Sequence, residues 1–287
     1  MAESDIEVVK ITDFIGAEIR NCDLARQTPE LHQALRRALA EHGVIVIKDQ
    51  DPTPAQHAEL AVGFGTPQNR VDTSTCIHGY PFMNGVSKNE DEFVNIGNAW
   101  HIDQTYQADP PTTTLLVARE IPERGGDTLF SSMAAAYDAL SDGLKETLDS
   151  LDAVHSNDRV VARNVRLQGR TVLPPVTHPV VIRNPITGRK SLYITAGYTQ
   201  RFDGWTEQES EPLLKFLFQH GQRPEFQTRI RWTPGTIAIF DNSQVWHYAL
   251  NDYQGRRRYM ERVTVKSFSI AESRVAPPRA PAPAEAA

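Results

Sequence analysis

Residues 258–268 set Tyr259, Glu261, Val263 and Val265 against Met260, Arg262, Thr264 and Lys266, a repeat of two that a strand satisfies and a helix does not. Further strand readings fall at 112–119, 229–232, 236–241 and 245–250, and the β-branched run Val44-Ile45-Val46-Ile47 suits a strand covered on both faces. Val180-Val181-Ile182 and Ser191-Leu192-Tyr193-Ile194 flank Asn184-Pro185-Ile186-Thr187-Gly188, which predicts a hairpin. Strands on both sides of an insert, with helices outside them, imply a mainly β fold: a sandwich closed into a barrel.

Helical signals frame these strands. Thr28-Pro29-Glu30 supplies an N-cap, a first-turn proline and an acid ahead of Leu31, Ala34, Leu35, Ala38 and Leu39, and Gly43 ends that helix. A second capped helix starts at Thr53-Pro54 and stops near Gly63 or Gly65; others are read at 131–140, 142–151 and 207–220. Residues 66–98 are rich in Asn, Asp, Gly, Pro and Ser and read as a long lid-like loop with short strand pieces. An insertion occupies about 131–175, one domain about 1–270, and a Pro/Ala-rich tail, 271–287, is expected to be disordered.

The 287 residues, 40% hydrophobic, suffice for a large core, and a net charge of -6 argues against a sequence-independent grip on nucleic acid. Cys22 and Cys76 make no disulfide framework, the N-terminus has no secretory signal, and no apolar run reaches bilayer length. A cytoplasmic protein with no membrane partner is the expectation.

The chemistry concentrates at His101-Ile-Asp103. On an extended segment the two side chains share one face and can share one metal, with His247, far downstream at a strand end, as a third ligand. Two imidazoles and one carboxylate leave three positions of an octahedral ion open, which suits a ferrous centre taking up O2 and a chelator. By itself the tripeptide occurs by chance in many proteins. Its context is His101, Asp103, Gly125-Gly126-Asp127-Thr128, Asp241-Asn242, His247 and Arg256-Arg257-Arg258-Tyr259-Met260-Glu261-Arg262, in that order.

In these motifs the chain resembles the taurine dioxygenase (TauD/TfdA) family of iron(II)- and 2-oxoglutarate-dependent oxygenases, from about Ile15 to about Phe268. The resemblance implies a double-stranded β-helix (jelly roll, cupin-like), with His101, Asp103 and His247 holding Fe(2+) and acting catalytically. It implies that Arg258 pairs with the distal carboxylate of 2-oxoglutarate and that Thr128 donates to a carboxylate of that co-substrate. The implied reaction consumes O2 and 2-oxoglutarate, releases succinate and CO2, and hydroxylates an unactivated C–H bond of a small molecule, with fragmentation or desaturation as variants.

Arg262 matches the position that holds the anion in sulfonate-oxidising members, so an anionic substrate is expected; an internal salt bridge, for instance to Asp241, is the competing reading. Gly97 stands where taurine oxidisers carry an asparagine, and 68–72 lacks their histidine, which argues against taurine. Tyr198, Tyr106 and Phe82 are expected to line the substrate pocket, with core packing as the alternative. Asp241-Asn242 is expected to support the turn or orient a ligand. His32, His57 and His220 read as surface residues, and His155 is left open. Rival readings are a non-catalytic metal-binding sensor or scaffold of the same fold and a zinc hydrolase, which has no use for Arg258 or Thr128. Relatives of this kind imply a homodimer or tetramer.

Overall fold

The structure, a computed structural model, describes residues 6–69, 74–163, 167 and 169–276. Strands β1 (Glu7–Lys10) and β2 (Ala17–Arg20) open the chain. In α1 (Pro29–His42) the Thr28 side chain accepts from Leu31 N, and Gly43, at φ 72°, closes the helix in a conformation that favours glycine. After β3 (Val44–Ile47), α2 (Pro54–Phe64) starts from a capping box in which Thr53 and Gln56 satisfy each other's backbone N–H.

Strands β4 (Thr66–Pro67), β5 (Cys76–Ile77) and β6 (Tyr80–Lys88) come next. They correct the reading of 66–98 as a loop: β6 is a nine-residue strand. Pro81, Asn84 and Gly85 interrupt its hydrophobic pattern, and its pairing partner lies at the far end of the sequence. Strands β7 (Thr113–Glu120) and β8 (Thr128–Ser132) lead into an insert of α3 (Met133–Asp138), α4 (Asp142–Asp149), β9 (Asp152–His155) and α5 (Asp158–Arg163). Ser131 and Ser132, expected in a helix, end β8, and the Ser132 hydroxyl caps α3. Next are β10 (Val176–Pro179), the predicted hairpin β11 (Val181–Arg183) and β12 (Lys190–Leu192), β13 (Thr199–Phe202), and α6 (Glu207–Gly221). Strands β14 (Gln227–Ile230), β15 (Ile237–Asp241), β16 (Val245–Ala249) and β17 (Arg258–Lys266) finish the fold.

Among the described residues, a nine-stranded sheet runs β1-β2-β3-β15-β7-β17-β6-β5, with β4 beside β17, and faces a smaller sheet, β14-β8-β16. Period-two alternation sorts the large sheet's side chains onto two faces. Ile45, Ile47, Leu115, Val117, Ile237, Ile239, Val263 and Val265 pack on the outer side with α1 and α2. Val44, Val46, Ala118, Ala238, Phe240 and Met260 face inward onto Phe130, Ile230 and Val245 of the smaller sheet. This is the jelly-roll sandwich expected, and Arg258, Met260 and Arg262 lie on its inner face.

The chain does not leave this body at residue 271. Arg183 N donates to Ser273 O at 2.7 Å and Arg274 pairs with Asp152 at 2.7 Å, so the first six residues of the expected disordered tail are held. Residues 277–287 lie outside the described residues. No helix among the described residues is long and apolar enough to cross a membrane.

His57, expected at the surface, is buried between α2 and β17, 3.9 Å from Glu261. His155 and His178 are buried too: His155 Nδ1 meets Thr105 Oγ1 at 2.9 Å, and His178 Nε2 donates to the carbonyls of Thr105 and Gln107. Burial lowers the pKa of all three, with the neighbouring His178 adding to the effect on His155. Below the unfolded histidine value of about 6.5, the unfolded chain therefore binds protons that the folded chain refuses, and stability falls as pH falls. Denaturation midpoints measured from pH 7.5 to pH 5 are expected to drop, by up to about 1.4 kcal/mol per pH unit for each such histidine. His57→Phe is expected to show a shallower slope; equal slopes in both proteins would contradict this account.

Candidate metal and co-substrate site

His101 is brought to His247 by the backbone. His101 N donates to His247 O at 3.1 Å and His247 N to His101 O at 2.9 Å, a two-residue extension of the small sheet beside β16. The chain then turns at Gln104, whose φ is 53°, so Asp103 reaches the same point from a turn and not from the extended segment expected. His101 Nε2 and His247 Nε2 stand 3.8 Å and 4.0 Å from Asp103 Oδ1. One donor atom from each of the three lies within 4.8 Å of the others, which is room for one cation.

The donors are prepared for a cation. His101 Nδ1 lies 2.8 Å from the Ala99 carbonyl, which can only accept, so that nitrogen carries the proton and Nε2 offers its lone pair. Burial, helped by the His101 charge, pushes the His247 pKa down to about 3, against an opposing pull from Asp103. Burial would raise Asp103, but Arg262, His247, His101 and the Thr114 hydrogen bond outweigh it and hold the carboxyl well below the usual range. The neutral His247 imidazole, the Asp103 carboxylate and the inward-turned Nε2 of His101 therefore meet at one point, a donor set that a divalent first-row metal takes.

A hydrogen-bonded relay fixes Asp103. Asn242 Nδ2 donates to Thr114 Oγ1 at 2.9 Å, and Thr114 Oγ1 donates to Asp103 Oδ2 at 2.8 Å. Asn242 thus reaches the candidate ligand Asp103 through a threonine that sequence reading missed. Its neighbour Asp241 holds the turn by accepting from Ser243 N at 2.8 Å and Gln244 Nε2 at 2.8 Å. Phe240 and Phe130 wall the His247 ring at centroid distances of 4.6 and 6.1 Å.

Two cavities meet at the triad, sharing His101, Asp103, Ile96, Gly97 and Arg262. The inner one, about 50 Å3, runs between the sheets past Val86, Leu116 and Met260 to Thr128 and Arg258. Arg258 is only 7% exposed and its Nε has no hydrogen-bond partner among the described residues. Its guanidinium lies 5.7 Å from the Trp232 ring, and Trp232 Nε1 donates to Thr128 Oγ1 at 2.9 Å. Trp232, which the sequence offered only as a strand residue, positions both groups.

The outer cavity, about 140 Å3, is lined by Tyr106, Tyr198, Val160, Val161, Leu167 and Arg170, among others. Tyr106 and Tyr198 meet edge to face at 4.9 Å, as expected of pocket aromatics. Phe82 lines neither cavity: it packs edge-on against Tyr80 at 6.0 Å and against the core cluster beneath α1 and α2. Arg262 pairs weakly with Asp103, at 3.7 Å, and not with Asp241. Gly97 has a φ of +86°, and a Cβ there would sit 3.1 Å from His101 Cε1, so any side chain would press on that ring. Asn157 and Arg170 also face the cavity and were missed, because a polar insert carries no periodic signal.

The family description "Taurine catabolism dioxygenase TauD, TfdA family" matches residues 7–264. The chain belongs to the TauD/TfdA dioxygenase family. It is 32% identical to "Alpha-ketoglutarate-dependent dioxygenase cnsM" of Penicillium expansum, over 92% of this chain and 79% of that protein. It is 32% identical to an "Alkylsulfatase" of Acinetobacter baylyi, over 91% of this chain and 84% of the relative. A crystal structure of a taurine dioxygenase from Burkholderia xenovorans superposes with a TM-score of 0.78 at 32% identity, covering 91% of this chain and 90% of that one. The protein is accordingly an Fe(II)- and 2-oxoglutarate-dependent oxygenase of jelly-roll fold; alpha-ketoglutarate is the same keto acid. Membership decides against the zinc-hydrolase and non-catalytic readings.

Thr114→Val removes the hydroxyl that steadies Asp103 and leaves the shape. Mn(II) affinity, read by titration in the electron paramagnetic resonance spectrum, is expected to fall about 10- to 100-fold. An unchanged affinity would show that the relay does not support the metal ligand.

Proposed function

We propose that this oxygenase oxidises an unactivated C–H bond of a small anionic organic molecule, with His101, Asp103 and His247 as the iron ligands. The carrying observation is the meeting of the two cavities at these three side chains, one ending on Arg258 and Thr128 and the other walled by aromatic residues and Arg262. Bound ferrous iron supplies the activation of O2, coupled to conversion of 2-oxoglutarate to succinate and CO2.

The chain's own residues do the rest. Arg258, buried and without an ion-pair partner among the described residues, seats the distal carboxylate of 2-oxoglutarate, where a planar fork of donors meets two oxygens. Thr128 already accepts a hydrogen bond from Trp232, so its own O–H is free to donate to a carboxylate of the same molecule. Tyr198 stays protonated, because burial and its neighbour Tyr106 push its pKa up, and can act only as a neutral wall or donor. Val160, Val161 and Leu167 exclude water from the substrate side. Arg262, with 17% of its side chain exposed, holds the substrate's anion beside the triad. Gly97 and the absence of a histidine at 68–72 support a substrate other than taurine. Relatives named for sulfonates, sulfate esters and 2,4-dichlorophenoxyacetate indicate the range of anions to screen. In this reading the chain to about residue 276, six residues beyond the expected boundary, forms a single catalytic domain.

Addition of Fe(II) and 2-oxoglutarate without oxygen is expected to give a weak visible metal-to-ligand charge-transfer band that His247→Ala and Arg258→Ala abolish at equal ligand. Survival of the band in either variant would remove that residue from its role. In a succinate-release screen of sulfonates, sulfate esters and aryloxy acids, Arg262→Ala is expected to raise the substrate KM about 10- to 100-fold while changing that of 2-oxoglutarate far less. Equal effects on both would take Arg262 out of the substrate site.

A further inference from the structure

Strands β6 and β17 pass the inner cavity as three facing pairs: Asn84 with Arg262, Val86 with Met260, and Lys88 with Arg258, the Asn84 and Lys88 side chains lying just outside its lining. Directly opposed residues of an antiparallel pair point to the same face, and alternation keeps all six on the inner one. Arg262, Val86, Met260 and Arg258 line the cavity. The ladder therefore has a cation at the metal end, an apolar rung in the middle, and two cations side by side at the far end.

We propose that Lys88 is a second cation for the distal carboxylate of 2-oxoglutarate, acting beside Arg258. The inference rests on the reading that Arg258 seats that carboxylate. Lys88 is 1% exposed, and its Nζ makes no hydrogen bond among the described residues. What it faces is the Tyr253 ring, 4.6 Å away. A cation–π contact offsets only part of the cost of taking an ammonium out of water. No carboxylate completes the balance: Asp127, whose charge acts on Arg258, is already bonded to Arg229 at 2.7 Å, and neither Lys88 nor Arg258 forms an ion pair among the described residues.

Two buried, adjacent and unneutralised cations repel each other, so the ligand-free site is destabilised by the same charges that an incoming anion would satisfy. A dicarboxylic keto acid fits this pattern rung by rung. Its keto-acid head meets the triad, its methylenes lie on Val86 and Met260, and its far carboxylate is shared by a guanidinium and an ammonium. A keto acid without the far carboxylate leaves both cations as they were.

The test compares wild type, Lys88→Met and Arg258→Met as Fe(II)-loaded proteins without oxygen, titrated calorimetrically with 2-oxoglutarate and with 2-oxobutanoate, which lacks the distal carboxylate. Lys88→Met is expected to weaken 2-oxoglutarate binding about tenfold or more and to leave 2-oxobutanoate within about twofold. Its ligand-free melting temperature is expected to equal or exceed that of wild type, because an unpaired buried charge has been replaced by a side chain of similar length. Unchanged 2-oxoglutarate affinity, equal weakening of both keto acids, or a lower ligand-free melting temperature would each overturn the proposal. If Arg258→Met loses 2-oxoglutarate affinity and Lys88→Met does not, the Lys88 proposal alone fails; if neither loses it, the Arg258 reading fails as well.

Discussion

The reciprocal pair of backbone hydrogen bonds between His101 and His247 joins segments remote in sequence and brings their rings to a centroid distance of 4.0 Å. The rest of the site is arranged around it. Ala249 N donates to Gly97 O at 2.8 Å, and the Asn95 side chain donates to the carbonyls of Ala249 and Leu250, so the stretch before His101 runs along β16. That stretch, which turns at Ile96 and Gly97 and is not itself a strand, supplies both residues to both cavities. The proposed metal ligands and the cavity wall are therefore one backbone unit, and loosening either would loosen the other. On the opposite face of β16, Trp246 is fully buried and donates to Ile194 O at 2.7 Å. Alternation along one strand thus anchors a tryptophan outside and aims a histidine inside.

Where local pattern and tertiary environment agree, the sequence was sufficient. The alternation in β17 announced a strand with Arg258 and Arg262 on one face, and both arginines reach the cavity from that face. The β-branched run of β3 announced burial on both sides, and all four of its residues are buried. Where burial depends on a partner remote in sequence, it was not. Gly85 in β6 weakens the strand signal, yet its missing Cβ is what admits the Tyr259 ring, which would come within 2.7 Å of one. His57 sits on a helix whose apolar positions do not single it out, and only the sheet beneath α2 buries it. Phe82 and Tyr198 are alike as sequence symbols; the face of the strand or loop that carries them separates a core residue from a cavity residue.

Motif order picked out the three side chains that the fold brings together, but not what steadies them. Asp103 is held by Thr114, and Thr128 by Trp232, and nothing in the spacing of either pair connects them. Each pair becomes adjacent because β7 and β14 pass beside the segments that carry the functional group. Polar groups recruited in this way satisfy the general demand that a buried donor or acceptor find a partner, and the same bonds fix the orientation of the group used in chemistry.

The electrostatics of the inner face divide into two regions with opposite needs. At the triad, the protein has already made the choices that favour a cation: Asp103 is kept ionised, His247 is kept neutral, and His101 is held in the tautomer that turns Nε2 inward. A metal arriving near neutral pH then displaces no proton from Asp103 or His247, and little of its binding free energy is spent on preparing those two donors. Arg262 beside the triad and Arg258 at the far end of the inner cavity carry positive charge that the protein's own carboxylates leave weakly compensated in the first case and uncompensated in the second, among the described residues. A bound cation would add to that excess, and anionic ligands are what restore balance in both cavities. The order of assembly follows from charge: the carboxylate of Asp103 favours the metal, and the metal together with the arginines favours the keto acid and an anionic substrate.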